Sequence, residues 1–476
     1  MRFIKTIKTC LLFTVILYVT SITAQQQNPL LFHKNSKTEL RGYLQTGINL
    51  VAETNLFWNL ADTPTLDYDS DTQWIESYLK PGIGFIYDIN SKNKLYTKVS
   101  IVGSHTLGTD AFDEANTGRI TLEEAHIGYK TKFSDAFSFH TVLGSQELKL
   151  GTGMLISNGA SSGFERGALK FGPRKAWQYA GLLEMNYKKL NSKFFYLAPN
   201  ELPSNDTDNA LIGSDINYFA SKNSYIGLSY INVISSQAPY PKAAPNGIGA
   251  PIITPGSREN LNALNLYARN NPFKNKLKNL FFGFDAAYQW NSRINLNSWG
   301  GRIQLGHEFP QTKWKPTVMY SYQVFSGDDP NTDGLERFDP LYFEGSPSAW
   351  STGSKSSMVF INSNVQAHGL TGKFQIKPRD IITLRYTHIR AHQLLSPIQF
   401  GQAARVEFSD GIPTVVSGVL NAHLADDFFI EYNKVVTKNI YVNAGFSLSV
   451  AGDGISTIVD ETALWTGAFI NVVLNY

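Results

Sequence analysis

Apolar and polar residues alternate with a period of two along most of this chain, and the last fifteen residues show the pattern most clearly. Ala468, Ile470, Val472, Leu474 and Tyr476 fall on one side of an extended strand, with Gly467, Phe469, Asn471, Val473 and Asn475 on the other. Such a period is typical of a β-strand whose two faces have different surroundings. The stretch fits the closing strand of a membrane barrel, with the C-terminal strand of a secreted sandwich as the alternative.

The same alternation recurs along the chain and predicts seventeen further strands. They cover residues 39–53, 76–89, 94–105, 119–130, 137–148, 177–189, 191–199, 210–220, 224–235, 259–270, 278–292, 295–309, 313–326, 365–377, 380–392, 422–434 and 437–451. With residues 462–476 the total is eighteen, and an even number is what bacterial membrane barrels have.

The lengths of the connections between these strands follow the parity of the strands. Connections that leave even-numbered strands are short, whereas those that leave odd-numbered strands are long, with residues 293–294 as the exception. A sandwich has no reason to sort its loops in this way. The pattern therefore predicts an all-β fold, a transmembrane antiparallel β-barrel of about 18 strands. Its short turns would be periplasmic and its long loops extracellular.

The N-terminal residues have the pattern of a cleaved secretory signal. A basic start is followed by the apolar run 10–19 and by a cleavage region that ends at Ala24. We expect a signal peptide over 1–24, a periplasmic lead over 25–38 and the barrel over 39–476. Cys10 is the chain's one cysteine, so the exported part would fold without disulfides.

The charge balance excludes one class of partner. Arg2, Lys5 and Lys8 account for the whole excess of basic over acidic residues, 42 against 39. The expected mature chain is thus formally neutral, which argues against nucleic acid as a partner.

The direction of the side chains follows from the same period. Trp177, Tyr179, Leu183, Met185 and Tyr187 are expected to face lipid, with Gln178, Glu184, Asn186 and Lys188 inward. The inward basic residues Arg41, Lys80, Arg269, Arg302, Lys373 and Arg385 would line a wet pore and form a ladder for carboxylated or sulfated solutes. The alternative is that Glu76, Glu124, Glu184, Asp285 and Glu431 pair with them across the barrel.

A glycine-rich loop, residues 149–176, carries the basic residues Arg166, Lys170, Arg174 and Lys175. Folded inward, it would form a basic constriction in which Arg174 and Lys175 favour anion passage. Left outside the barrel, it would be a solvated basic loop.

Sequence patterns for metal binding and for catalysis are weaker than the strand pattern. Asp329, Asn331 and Asp333 have the alternate oxygen spacing of the first half of a calcium loop, with an acidic surface turn as the alternative. His388 and His392 share a face on a strand but lack a third zinc ligand. The chain has no Gly-x-Ser-x-Gly motif in its usual context, so no enzyme activity and no other cofactor are expected.

Three segments resemble the alginate-export family of outer-membrane porins. They are RITLEEAHIGYKT with VLGSQELKLGTGMLISNG (119–131 and 142–159), YSYQVFSGDDPNTDGLERFDPLYF (320–343) and HLADDFFIEYNKVVTKNIYVNAGFSLSVAGDGI (423–455). The resemblance implies an eighteen-stranded monomer that passes anionic polysaccharide through an electropositive lumen. Where the family has Gly-Arg-Gln, this chain has Gly144-Ser145-Gln146.

Together these patterns predict a passive channel in the bacterial outer membrane for hydrophilic, anionic saccharides. The alternatives are a general porin and, in another class, a secreted all-β adhesin or lectin. The expected partners are outer-membrane lipid and lipopolysaccharide, anionic or neutral saccharides, and the barrel-assembly machinery, which would read the C-terminal strand.

Overall fold

The computed structural model describes residues 30–59, 69–160, 163–204, 206–221, 223–242, 244–245, 252–271, 273, 276–345, 350–353, 360–398, 406–409, 412–415, 418–459 and 462–476. The expected signal peptide, residues 1–24, lies outside the described residues. In the described part of the chain, no helix is long and apolar enough to cross a membrane.

Eighteen strands of the described chain pair in sequence order into one antiparallel barrel. They are β1 Thr38–Thr54, β2 Thr72–Asp88, β3 Asn93–Gly108, β4 Gly118–Lys132, β5 Phe137–Ser145, β6 Tyr179–Tyr187, β7 Leu190–Ala198, β8 Ala210–Ser221, β9 Ser224–Ser235, β10 Asn262–Asn270, β11 Leu280–Asn291, β12 Leu296–Glu308, β13 Thr317–Phe325, β14 Val365–Lys377, β15 Asp380–Ala391, β16 His423–Val435, β17 Ile440–Ala451 and β18 Trp465–Asn475. Each predicted strand overlaps one of these, and the predicted fold class is confirmed.

The barrel closes where β18 pairs with β1, from Gln45 opposite Asn475 to Thr54 opposite Thr466. Closure leaves no open sheet edge, which is the condition for strands to lie in lipid. Beyond this seam, the short strand Leu31–Lys34, within the expected N-terminal lead, pairs with the start of β1.

Other regular elements lie in the connections. They are the hairpins Tyr240–Lys242 with Ile252–Thr254 and Val406–Ser409 with Ile412–Val415, the 3-10 turn Leu56–Asn59, and the short helices Gly163–Arg166 and Asp453–Ser456.

The two rims of the barrel differ as predicted. One rim, called here the short-turn rim, carries the connections 89–92, 133–136, 188–189, 222–223, 271–279, 309–316, 378–379 and 436–439. The opposite long-loop rim carries 55–71, 109–117, 146–178, 199–209, 236–261, 326–364, 392–422 and 452–464, together with the one short turn 292–295.

The outer face is apolar and the inner face is polar, as β11 shows. Phe282 and Tyr288 are exposed on the outside, whereas Asp285 and Gln289 are buried on the inside. Trp177 departs from its predicted direction and is fully buried. It precedes the start of β6, where its indole N–H donates to the carbonyl of Leu148 over 3.2 Å, so strand alternation does not apply to it.

The interior is filled mainly at the long-loop end. Along the inner face of β1, Arg41 and Tyr43 are more than a third exposed near the short-turn rim, whereas Asn49 and Glu53 are buried near the other. The connections supply an apolar core there, including Trp58, Met154, Phe338 and Trp350. The expectation of a wet lumen therefore applies to the half of the barrel next to the short-turn rim.

Candidate functional site

The loop of residues 149–176 lies inside the barrel, and carboxylates of the wall hold its main chain. Glu76 of β2 accepts the N–H of Lys170 at 2.7 Å and that of Phe171 at 2.9 Å. The indole N–H of Trp74 also donates to Glu76, over 2.8 Å. A fully buried carboxylate is tolerated because donors surround it. Glu76 therefore binds the main chain of the loop, rather than one of the six predicted pore cations.

A β-bulge in β4 turns two consecutive glutamates toward the lumen. The register between β3 and β4 shifts between Ser100 and Ile101, so Glu123 is the extra residue. Glu123 accepts the main-chain N–H groups of residues 175 and 176 at 2.9 and 3.2 Å. Glu124 pairs with Lys98 at 2.6 Å. The two consecutive glutamates of the segment RITLEEAHIGYKT thus have distinct roles, since Glu123 holds the loop and Glu124 pairs within the wall.

Arg174 and Arg166 are buried anchors of the loop. The guanidinium of Arg174 donates to Thr121 Oγ1, Ser104 Oγ and the carbonyl of Arg119 at 2.7 to 2.9 Å. Burial and the neighbouring arginines lower the pKa of Arg174 to about 10. Arg166 donates to the side chain and carbonyl of Asn200 at 2.9 to 3.1 Å. Both guanidinium groups lie against protein rather than in an open pathway.

Lys170 and Phe171 form the inner tip of the loop. The Lys170 ammonium lies 3.3 Å from Glu53 and 4.8 Å from the centre of the Phe469 ring, and burial lowers its pKa. The Phe171 ring packs edge-on against Tyr78 at 4.9 Å. A Cβ at Gly47 would lie 2.8 Å from the Phe171 ring, so this approach requires a glycine. In contrast, Lys175 is exposed.

The first part of the loop reaches the opposite wall. Thr152 donates to Asp285 of β11, and the carbonyl of Thr152 accepts the indole N–H of Trp350 at 2.9 Å. Met154 is buried beside Asn265 of β10. Because its second part contacts β1 to β4, the loop spans the interior and narrows it.

Three of the predicted pore cations line one cavity of about 300 Å³ between β12 and β16. They are Arg302, Lys373 and Arg385, and the wall also includes Gln304, Ser321, Gln323, Thr371, Thr383, Phe429 and Glu431. Lys373 is exposed. Arg302 stacks on the Trp350 ring at 3.6 Å and lies 3.6 Å from Asp285, and Arg385 donates to the carbonyl of Gly353 at 2.6 Å. The loop residues 350–353 therefore form the roof of a basic, hydroxyl-rich cavity.

The other predicted pore cations lie elsewhere. Arg41 pairs with Glu39 near the short-turn rim. Lys80 lies between Glu123 at 3.1 Å and Glu147 at 2.9 Å. Arg269 stacks on the Phe281 ring at 4.2 Å. The six cations do not form one continuous ladder, and ion pairing accounts for part of the set.

The acidic turn of residues 329–333 is a surface turn in the described structure. Asp329 Oδ1 accepts the N–H of Asn331 at 2.9 Å, and the side chains of Asn331 and Asp333 are exposed. This arrangement favours the acidic surface turn, and calcium binding there stays a prediction.

A cluster of two histidines and one aspartate, His388, His423 and Asp426, lies on the outer face and was not predicted from the sequence. His392 lies beyond the end of β15, where its Nδ1 accepts the N–H of Gly327 at 3.3 Å. His388 forms this cluster with His423 and Asp426 of β16. Alternation alone could not reveal this cluster, because it depends on the pairing of two strands separated by a long loop.

Comparisons with known proteins give likeness of shape only. No protein-family model and no curated protein matches the chain. Similar solved structures include OccK5 of Pseudomonas aeruginosa, 9% identical over 92% of this chain and 98% of that one, with a TM-score of 0.49. OprB of Pseudomonas putida is 11% identical over 92% and 94%, with a TM-score of 0.44. The outer membrane channel DcaP of Acinetobacter baumannii is 12% identical over 94% and 100%, with a TM-score of 0.39. Because these identities and TM-scores are low, the evidence for the barrel fold is the strand pairing within this chain.

Proposed function

We propose that this protein is a passive channel in the outer membrane of a Gram-negative bacterium. The observation that carries the proposal is a closed barrel with an apolar outer face and a lumen that contains charged and hydroxyl side chains. Outward residues such as Ile48, Leu50, Ile470 and Val472 are 41 to 54% exposed and form a surface suited to lipid. A secreted lectin would have no use for such a surface.

The lengths of the connections at the two rims indicate how the barrel is oriented in the outer membrane. In outer-membrane barrels the short turns are periplasmic and the long loops extracellular. The interior of this chain is filled with loops near the long-loop rim and open near the short-turn rim, so the constriction would lie on the extracellular side. The loop of residues 149–176 would set its width.

The solutes that the lumen fits best are hydrophilic and anionic, with saccharides as the favoured class. Lys373, Arg302 and Arg385 supply positive charge at the cavity, and guanidinium groups match the geometry of carboxylates. Nearby hydroxyl and amide groups provide exchangeable partners for sugar hydroxyls, and Phe429 offers an apolar face. The resemblance to alginate-export porins points to the same solute class.

A general porin is the second candidate, and ion pairing favours it. Arg302 lies near Asp285, Glu431 lies in the same cavity as Arg385, and Lys80 is held by two glutamates. Paired charges give a weaker field in the lumen and less discrimination between solutes.

Liposome swelling separates these candidates. We expect vesicles with the folded protein to admit glucuronate faster than glucose, and K373Q to reduce this ratio severalfold. The control is K94Q, because Lys94 lies at the short-turn rim and pairs with Asp88 at 3.1 Å. Equal rates for both sugars would support the general porin. Absence of swelling with correctly folded protein would overturn the channel.

A further inference from the structure

His388, His423 and Asp426 form a compact cluster on the outer face of the barrel, beside the long-loop rim. His388 and Asp426 are register partners on β15 and β16. Their sequence neighbours Thr387, Ile389 and Asp427 are buried on the inner face, so His388 and Asp426 point outward. The three side chains are about 30% exposed, and they lie within the last residues of β15 and the first residues of β16, next to the long-loop rim.

A β-bulge places His423 in this cluster. Residues three apart on a regular strand face opposite sides, which would direct His423 inward. The register between β15 and β16 shifts so that Ile389 pairs with Ala425 and Arg390 pairs with His423. Leu424 is the extra residue, and it is fully buried together with Ala425. His423 therefore reaches the same face as Asp426.

The donor atoms lie near the spacing of a metal site. Nδ1 of His388 lies 2.9 Å from Oδ1 of Asp426, and Nε2 of His423 lies 3.1 Å from Oδ2. All donor atoms lie within 4.8 Å of one another. Ligands at ordinary zinc distances on a tetrahedron are about 3.3 Å apart, so small adjustments suffice. The Tyr386 hydroxyl donates to Asp426 Oδ1 over 2.7 Å and orients the carboxylate from outside the donor set.

We propose that His388, His423 and Asp426 bind one divalent transition-metal ion, with Zn²⁺ as the best match. Two imidazole nitrogens and one carboxylate oxygen suit zinc, copper or nickel better than calcium or magnesium. With three protein ligands, one position of a tetrahedral ion stays open to water or to an external ligand. The ion would join the ends of β15 and β16 at the base of the connection 392–422 and stabilise the folded protein by binding it selectively.

The test is calorimetric titration of Zn²⁺ alone into detergent-solubilised, metal-free protein, with Co²⁺ absorption as a spectroscopic readout. We expect one equivalent to bind, with intense visible bands from a four-coordinate cobalt site. H388A and H423A should each weaken binding by tenfold or more, and D426N should also weaken it.

The matched control is H368A. His368 faces His388 on the neighbouring strand β14, but its Nδ1 lies 2.8 Å from the hydroxyl of Tyr320. We expect wild-type affinity for this variant, and heat-dependent gel mobility confirms the folding of each protein. Absence of zinc binding by the wild type would overturn the proposal. So would unchanged affinity in folded H388A and H423A, or an equal loss in H368A.

Discussion

The main-chain N–H of Lys170 donates to Oε1 of Glu76 over 2.7 Å, and this bond joins the tip of the inward loop to the wall of the barrel. Glu76 is fully buried and belongs to β2, 94 residues earlier in the chain. A wall carboxylate thus holds in place the segment that narrows the lumen.

Removal of this carboxylate should release the loop. In E76A the N–H groups of Lys170 and Phe171 lose an acceptor, and each hydrogen bond to a charged group is worth about 1.5–3 kcal/mol. We expect larger single-channel conductance and faster proteolysis between residues 149 and 176. E308A is the control, because Glu308 is exposed at the end of β12. Wild-type conductance together with wild-type proteolysis would contradict the anchoring role.

Substitution of Arg174 should change the thermal stability of the protein, whereas substitution of Lys175 should change its ion selectivity. Arg174 is buried with its guanidinium bonded to the wall, so R174A should lower the thermal unfolding midpoint. Lys175 is exposed, so K175A should keep that midpoint and reduce the anion-to-cation permeability ratio. Thermal unfolding and bilayer reversal potentials measure the two effects. A permeability change in R174A without loss of stability would assign Arg174 to the pathway instead.

The connection 109–117 should become less stable as the pH rises. Burial raises the pKa of Asp110 to about 7, and the nearby carboxylates Glu76 and Glu114 act in the same direction, whereas the N–H groups of Phe112 and Glu114 oppose it. Between the unfolded pKa near 4 and the folded value, the folded loop binds more protons than the unfolded one, so its stability falls as pH rises through this window.

Hydrogen exchange, corrected for intrinsic rates, tests this prediction. Protection of residues 109–117 in the wild type should be greater at pH 5 than at pH 8. D110N carries no titrating carboxyl at this position, and its protection should change less over this range. Equal pH dependence in the two proteins would show that Asp110 does not control the loop.

A charge on the outer face should impair folding in the membrane. Ile470 of β18 is 54% exposed, between Leu50 of β1 and Ala444 of β17. A lysine that faces the lipid core costs about 2–4 kcal/mol at the midplane. I470K should therefore reduce the folded fraction measured by heat-dependent gel mobility. N471K, one residue along and facing inward, should fold normally, and equal folding of both variants would contradict the assigned faces.

The strands were predictable because closure imposes a strict period on every one of them. The predicted limits of β14, residues 365–377, agree with the structure, and the short turns differ by only a few residues. Trp177 shows where the rule ends, because this residue lies before the start of β6 and turns inward with the loop.

The interior was less predictable because it depends on contacts between distant segments. Nothing in the local pattern shows that Glu76 accepts N–H groups from residues 170 and 171. Bulges at Glu123 and Leu424 each change the face of a side chain by one inserted residue, and alternation cannot reveal such a shift.

Current through a planar bilayer tests the central claim most directly, namely that the barrel is a channel with a basic, anion-preferring lumen. We predict discrete conductance steps for the wild type and a reversal potential in a potassium chloride gradient that shows preference for chloride. K373E should shift that potential toward potassium, because Lys373 is the exposed cation of the cavity. Absence of conductance steps from folded protein, or potassium preference in the wild type, would contradict the claim.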